Sequence, residues 1–358
     1  MNSVMILGGC GNFGKRISTA LIKKNIPVII AGRNKEKLER FAATFTGASI
    51  NIAVFDAKYA LATQLTTSKP SVVINTCGPF QNSNYDIARI CVEHSVHYID
   101  IADARDFVTG IVELDTLAKE NNVSIISGAS TVPGLSSAVI EHYRDKFSII
   151  DSLVFGITPG QKAERGLATT QAILSYVGKP LKPFAGSQKT RYGWQDIYRQ
   201  NYPEIGKRWM ANCDIPDLDL LPAHYNIRTI HFSAGMELGW MHLGLWFFSW
   251  LVRAGLPLRL STHAEMLLKI SNWFNLFGSA DGGMHVILRG KDQAGAPLEK
   301  KWFIIAKAGD GPQIPCVPAI LLAEKLVVGK MIKPGAYPCV GLISLEEYVA
   351  ALKEFNIQ

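Results

Sequence analysis

Through the first third of the chain, short apolar runs alternate with amphipathic stretches. Val4 to Leu7 is an apolar run ended by Gly8 and Gly9, and Lys15 to Lys24 then sets Ile17, Ala20 and Leu21 along one helical face. Pro27 to Ala31 is a second run, followed by a polar helix around Glu36 to Thr44. Further runs stand at Ile50 to Phe55, Val72 to Asn75, His97 to Ile101 and Val123 to Ser127, with amphipathic helices at Asn84 to His94 and Ile111 to Asn121. Apolar strands alternating with helices predict a doubly wound parallel α/β sheet covered on both faces. After about residue 130 the rhythm changes. Ser152 to Thr158, Thr229 to Ala234, Met284 to Arg289 and Lys301 to Ala306 read as strands, separated by stretches too long for simple βαβ units. Helical spacing returns from Pro315 to Val328 and from Ser344 to Phe355. The expected organisation is a first domain over 1–130, an inserted α+β domain with a partly antiparallel sheet over 131–310, and a segment over 311–358 that packs back on the first.

Composition narrows the reading. The 358 residues are 48% hydrophobic and carry a formal charge of +7, which describes a folded globular chain. The basic excess is spread thinly: residues 1 to 150 hold 15 basic and 13 acidic side chains, the rest 22 and 17. No basic run is long enough to follow a phosphate backbone, and no helix interleaves basic and aromatic residues, so nucleic acid is not an expected partner. The six cysteines form no CxxC pair and the amino terminus lacks a basic leader, which makes the expected location cytoplasmic. Leu238 to Leu258 is apolar and Trp-rich, but His242 and Arg253 interrupt it and it only just reaches spanning length. A buried core or dimer-interface helix is expected there, with peripheral membrane contact as the alternative.

Gly9-Cys10-Gly11-Asn12-Phe13-Gly14 is a GxGxxG that directly follows the first strand and opens the first helix. In that context Gly9 allows the tight turn, Gly11 lets backbone approach a pyrophosphate and Gly14 permits close helix–strand packing, the signature of a Rossmann-type dinucleotide site. At the end of the second strand, where NAD enzymes usually carry an acidic residue, stand Gly32, Arg33 and Asn34. Arg33 suits a 2′-phosphate, Asn34 can donate to it and Lys37 lies within a turn, so NADP(H) is the expected cofactor. Asp56 is a candidate for the adenine amino group. Asn75, Thr76, Cys77, Gly78, Pro79 and Phe80 end the fourth strand, and their small and polar side chains let a cofactor lie close.

GGCGNFG, AGRN, INTCGPFQNSNYDIARICVEHSVHYIDIADA and SGASTVPGLSS together resemble the saccharopine dehydrogenase family. The tail, with GDGPQIPCVPAILLAEKL and GAYPCVGLISLEEYVAAL, is similar to a bacterial branch of that family. The resemblance is specific over residues 1 to 136, looser in the tail and distant in the middle. It implies an NADP(H)-dependent oxidoreductase, active on a small molecule, that moves a hydride to or from a carbon–nitrogen bond. Such chemistry needs a proton donor and cationic groups for carboxylates. Acid–base candidates are His97, Tyr98, Asp100 and Asp103, read as following the fifth strand; the two aspartates converge only if the chain turns at Ile101 or Ala102. Ser130 and Thr131, at the crossing into the inserted domain, are candidates for nicotinamide carboxamide or substrate. Arg165, Thr169 and Thr170 are candidate substrate anchors.

Rival chemistries have weaker support. Tyr98 is followed four places on by Ala102, Tyr143 by Phe147 and Tyr176 by Pro180, and no tyrosine by lysine, which disfavours the short-chain reductases. Cys91, His94 and His97 have metal-like spacing but no fourth ligand nearby, so no metal is expected. The alternatives from other classes are a membrane-associated NADPH-dependent reductase of a lipid-like substrate and a non-catalytic NADP-binding module. A homodimer is the expected assembly.

Overall fold

The structure is a computed structural model and describes residues 2–45, 47, 49–329 and 333–358. In chain order the first elements are β1 (Val4–Leu7), α1 (Asn12–Lys23), β2 (Val28–Gly32), α2 (Lys35–Ala42), β3 (Ile50–Val54), α3 (Ala57–Ser68), β4 (Val72–Asn75), α4 (Asp86–Glu93), β5 (His97–Asp100), α5 (Arg105–Gly110), α6 (Asp115–Glu120) and β6 (Ser124–Ser127). There follow α7 (Ser136–Arg144), β7 (Ile149–Thr158), α8 (Leu167–Tyr176), β8 (Tyr198–Tyr202), β9 (Gly206–Asn212), α9 (Asp217–Tyr225), β10 (Thr229–Met236), α10 (Gly239–Arg253), α11 (Ala264–Trp273), β11 (Gly282–Lys291) and β12 (Pro297–Ala306). α12 (Val317–Val327), β13 (Gly335–Pro338) and α13 (Leu345–Ala351) close the chain.

Two compact units result, the first from Met1–Leu135 with Pro315–Ile343, the second from Ser136–Ile314 with Ser344–Gln358. The sequence reading kept 311–358 together, whereas the structure divides that stretch. α12 and β13 return to the first unit, while α13 lies on α7 and Gln358 exchanges backbone hydrogen bonds with Ile305 in the second.

The first unit is a seven-stranded parallel sheet in the order β13-β6-β5-β4-β1-β2-β3. β1 runs between β2 and β4, with Ile6 opposite Ile30 and Ile74. All of Val4 to Leu7 is buried, as a strand covered on both faces must be. The strand order reverses between β1 and β4, and the carboxyl ends at that point are where doubly wound sheets bind ligands.

The second unit holds a six-stranded mixed sheet, β12-β11-β7-β10-β9-β8, in which only β7 and β10 pair in parallel. It contains the four strands expected there and adds the hairpin β8–β9. One face carries a polar network: Tyr202 Oη meets His285 Nδ1 at 2.8 Å, Tyr198 Oη meets Ser233 Oγ at 2.5 Å, and His231 Nε2 meets Asn212 Oδ1 at 2.9 Å. Each buried hydroxyl and ring nitrogen of these pairs thereby has a partner, as a low-dielectric interior requires.

Candidate functional site

The glycine loop between β1 and α1 is shaped by contacts that exclude side chains. Gly8, not Gly9, takes the left-handed conformation, with φ +74°. A Cβ there would stand 2.8 Å from Thr76 Oγ1, so the turn assigned to Gly9 from sequence belongs one residue earlier. Gly9 instead packs on β2, where a Cβ would meet Ile30 Cγ2 at 2.5 Å. At Gly14 a Cβ would run into the Gly8 carbonyl, which is the close helix–strand approach expected. Gly11 is the N-cap of α1 and supplies no side-chain cap, which leaves the positive end of the helix open to an anion. Asn12 is paired with Arg16, whose Nη1 also donates to the Asn12 carbonyl at 2.5 Å. Arg16 thus places a cation at the same end of the helix. The sequence reading passed over it, although its place one turn into α1 was a usable signal. Phe13 lies half-buried in that turn, and the Cys10 thiol reaches the Lys37 carbonyl at 3.5 Å, which brings the loop to the start of α2.

At the carboxyl end of β2, Arg33 extends into solvent with 81% of its side chain exposed. Its ion pair to Asp56, at 4.0 Å, is long and solvated, so Arg33 can turn toward a phosphate. Asn34 caps α2 through Oδ1, which accepts from Lys37 N at 2.9 Å, and its amide nitrogen is left to donate outward. Asp56 likewise caps α3, accepting from Lys58 N at 3.0 Å. An open helix end, a glycine cradle and an exposed arginine at the β2 edge fit an adenine dinucleotide carrying a 2′-phosphate.

The end of β4 divides the other candidates. Thr76 Oγ1 donates to the Leu7 carbonyl at 2.8 Å and ties the two strand ends together. Asn75 is buried and fully used, donating to Tyr98 Oη at 3.1 Å and accepting from Cys77 N at 3.0 Å. Cys77 is exposed as a residue, but desolvation of its sulfur raises the thiol to about 11, with Arg33 pulling the other way, which favours the protonated form near neutral pH. Gly78 and Pro79, joined by a cis bond, carry the chain away from the sheet. Phe80 corrects the sequence reading: it is 5% exposed and stacks on Phe107 at 5.2 Å, so it braces the loop from inside.

Of the four acid–base candidates, three are withdrawn. His97 opens β5 opposite Val72, at the amino end of the sheet, and its Nδ1 accepts from Ser124 N at 3.0 Å. A strand rises about 3.3 Å per residue, which puts it roughly 10 Å from the ligand edge. Tyr98 points into the core with 1% exposure and its hydroxyl held by Asn75. Asp100 ends β5 but is sealed: Oδ1 accepts from Ala102 N at 3.0 Å, Ser127 Oγ at 3.0 Å and Gly128 N at 2.8 Å, while Oδ2 is buried without a partner. It latches β5 to β6. The chain does turn after it, and this carries half-buried Asp103 out to meet Gln81 Nε2 at 3.4 Å. Burial raises the Asp103 carboxyl above the usual carboxylate range, against the Gln81 hydrogen bond. Gln81, which sequence reasoning missed, is the first long polar side chain after the Gly78-Pro79 turn.

Asp100 has a measurable signature. Burial outweighs the hydrogen bonds the carboxyl receives and pushes it up to about 6, above the unfolded-chain value of about 3.9. The folded state therefore holds this proton more tightly, and the group's contribution to stability is present at low pH and lost as pH rises through about 6. Denaturant titrations from about pH 4 to 6.5 are expected to lose this component of the slope in Asp100→Asn. An unchanged slope in that variant would rule out Asp100 as its source.

Ser130 and Thr131 follow β6 at the carboxyl edge of the first unit, Ser130 half-buried and Thr131 8% exposed. In the second unit Arg165 Nη2 donates to the Gln161 carbonyl at 2.5 Å, and burial lowers its pKa. Thr170 Oγ1 donates back to the Gly166 carbonyl at 3.1 Å inside α8. Cys91 is fully buried and His94 Nδ1 contacts the Ile90 carbonyl. Among the described residues no cluster of three or more His, Cys, Asp or Glu side chains is placed to hold a metal.

Residues 4–126 match the family model of the saccharopine dehydrogenase NADP binding domain. No curated protein matches the sequence. Among solved structures, an amine dehydrogenase from Mycobacterium smegmatis is similar at 12% identity, covering 94% of each chain with a TM-score of 0.52, which establishes a shared fold. A meso-DAPDH variant from Clostridium tetani is 15% identical over 99% of each chain with a TM-score of 0.47. A myo-inositol-1-phosphate synthase-related protein from Thermotoga maritima is 12% identical over 92% of this chain and 87% of that one, with a TM-score of 0.45. Residues 4–126 are thus similar to the NADP-binding domain of the saccharopine dehydrogenase family, and the cofactor is NADP(H).

Proposed function

We propose that the protein transfers a hydride between NADP(H) and the carbon–nitrogen bond of an amino-acid-derived imine, or a related carbonyl. The observation that carries this reading is Asp103. It is the one acid–base candidate at the carboxyl edge of the parallel sheet that is not sealed in the core, and burial favours its protonated form. A carboxyl group biased toward the acid at that edge suits donation of a proton to nitrogen as hydride reaches carbon. Bound NADP(H) supplies the hydride. The chain's own part is to seat the pyrophosphate on α1, hold the 2′-phosphate with Arg33, Asn34 and Lys37, and hold the proton at the Asp103 carboxyl. Ser130 and Thr131 are assigned to the carboxamide or the substrate, and Arg165 to a substrate carboxylate. The bond from Thr170 back to Gly166 leaves that hydroxyl a lesser role. The absence of any disulfide among the described residues supports work in the reducing cytoplasm.

NADPH oxidation across a panel of aldehyde and amino-acid pairs tests the reaction. Turnover is expected with at least one pair, and Arg33→Ala should raise the KM for NADPH by about tenfold while leaving that for NADH within about twofold, as loss of one phosphate partner implies. Tight NADPH binding with no turnover on any imine or carbonyl would refute the reading.

A further inference from the structure

The aromatic residues of the second unit are split between its interior and its surface. On α10, His242, Leu245, Trp246 and Ser249 recur at helical spacing and turn inward, His242 stacking on buried Trp194 at 5.1 Å. The opposite face presents Trp240, Phe247 and Phe248 to solvent, and a Cβ on Gly244 between them would meet nothing. After α11 the turn Phe274–Phe277 extends this surface: Trp273 is 73% exposed, Leu276 87% and Phe277 72%. Trp240 meets Phe274 edge-on at 4.6 Å, which joins helix and turn in one patch.

This exposure is built into the fold. Buried Gln161 donates through Nε2 to the Ser271 carbonyl at 2.8 Å and to Asn275 Oδ1 at 3.1 Å, on either side of exposed Trp273. Glu237 accepts from Gln161 N at 2.7 Å, Ser279 N at 2.9 Å and Ser279 Oγ at 2.7 Å. Buried hydrogen bonds thus fix a turn whose large apolar side chains stand in water, and a contiguous patch of this kind marks an interaction surface.

Charge selects the partner. From 238 to 277 the basic residues are Arg253, Arg259 and Lys269 and the acidic one is Glu265; Lys269 is paired with Glu265 at 2.8 Å and Arg253 donates to Gln195 Oε1 at 2.6 Å while lying over the Tyr192 ring, so the stretch is net positive with Arg259 as its exposed cation outside these contacts. A symmetric contact with a second copy would set this net positive face against itself, with no further carboxylate among residues 238 to 277 to answer it. An anionic lipid surface complements them, and exposed Trp and Phe suit the head-group region. α10 is too short to span: its 15 residues rise about 22 Å against a hydrocarbon core of about 30 Å, and no described helix is long and apolar enough to cross a membrane. We propose that this face docks the second unit on an anionic bilayer, with α10 lying in the plane of the interface and Trp273, Leu276 and Phe277 inserted beside it.

Co-sedimentation of the full chain with phosphatidylcholine vesicles, with and without one quarter phosphatidylglycerol, tests the proposal. Binding is expected with the anionic vesicles and weaker binding with the neutral ones. The double variant Leu276→Glu, Phe277→Glu should lower anionic binding by about tenfold or more with its unfolding midpoint and NADPH affinity unchanged, because both side chains are exposed. Arg259→Glu should weaken binding to the anionic vesicles only. Absence of binding to either vesicle overturns the proposal. So does a dimer in sedimentation velocity that the double variant dissociates while neither protein binds lipid, since that assigns the face to a second copy.

Discussion

Gly14→Ala is expected to weaken NADPH binding by more than about a hundredfold, close to 2.7 kcal/mol. A Cβ at this position meets the Gly8 carbonyl and the Gly9 Cα, which are backbone atoms that no rotamer change can move aside. The first turn of α1 would have to shift away from β1, carrying the open helix end with it, and overpacking of this kind costs a further ~1–3 kcal/mol of stability. A fluorescence titration with NADPH measures the first effect and denaturant unfolding the second. Gly244→Ala is the matched control: its Cβ meets nothing on α10, so affinity and stability should hold or improve. Binding by Gly14→Ala within roughly threefold of the parent would mean that the glycine loop does not hold the pyrophosphate.

The second large effect is expected at Asp103. Asp103→Asn keeps an oxygen for Gln81 but has no proton to give, and it should lower kcat by about 10²–10⁴-fold while NADPH affinity stays within about twofold. The alkaline limb of the kcat profile should disappear with it, because burial sets the titration of the native carboxyl above the usual carboxylate range. His97→Ala, at the other end of β5, should change kcat by less than about threefold. A loss of equal size in both variants would place the proton donor elsewhere.

Much of the cofactor unit was legible because its signals are local and redundant. A buried strand, a GxGxxG and a helix follow one another within the first 23 residues, and each restricts what the next can be. Arg33 in place of an acid was readable for the same reason, since the end of β2 is fixed by the run before it. His97 was misread because an apolar run locates a strand without saying which end faces ligand; that depends on its partners, and Val72 and Ser124 pair with it at the amino edge. Phe80 failed for a related reason, as sequence proximity to the loop cannot tell an inward ring from an outward one. α3 has almost no apolar face, with only Leu61 and Leu65 buried, and gave no periodic signal. The β8–β9 hairpin is a polar edge whose Tyr202 and Met210 are buried across a curled sheet, a non-local arrangement. Hydropathy marked 238–258 but not Trp273 to Phe277, because an exposed aromatic and a core aromatic look alike in sequence.

The place of β13 in the parallel sheet carries a consequence for biosynthesis. Its partner β6 ends at Ser127, yet Gly335 to Pro338 leave the ribosome roughly two hundred residues later, of the order of tens of seconds at ~5–20 residues per second. During that interval Ser136 to Ile314 of the second unit are being made while Ile125 and Ile126 wait on an open parallel edge, a template for pairing with other chains. Nascent chains stalled before β13 should therefore recruit chaperones at this edge, and any shortened version of the cofactor unit intended for expression alone needs α12 and β13 grafted directly after Leu135.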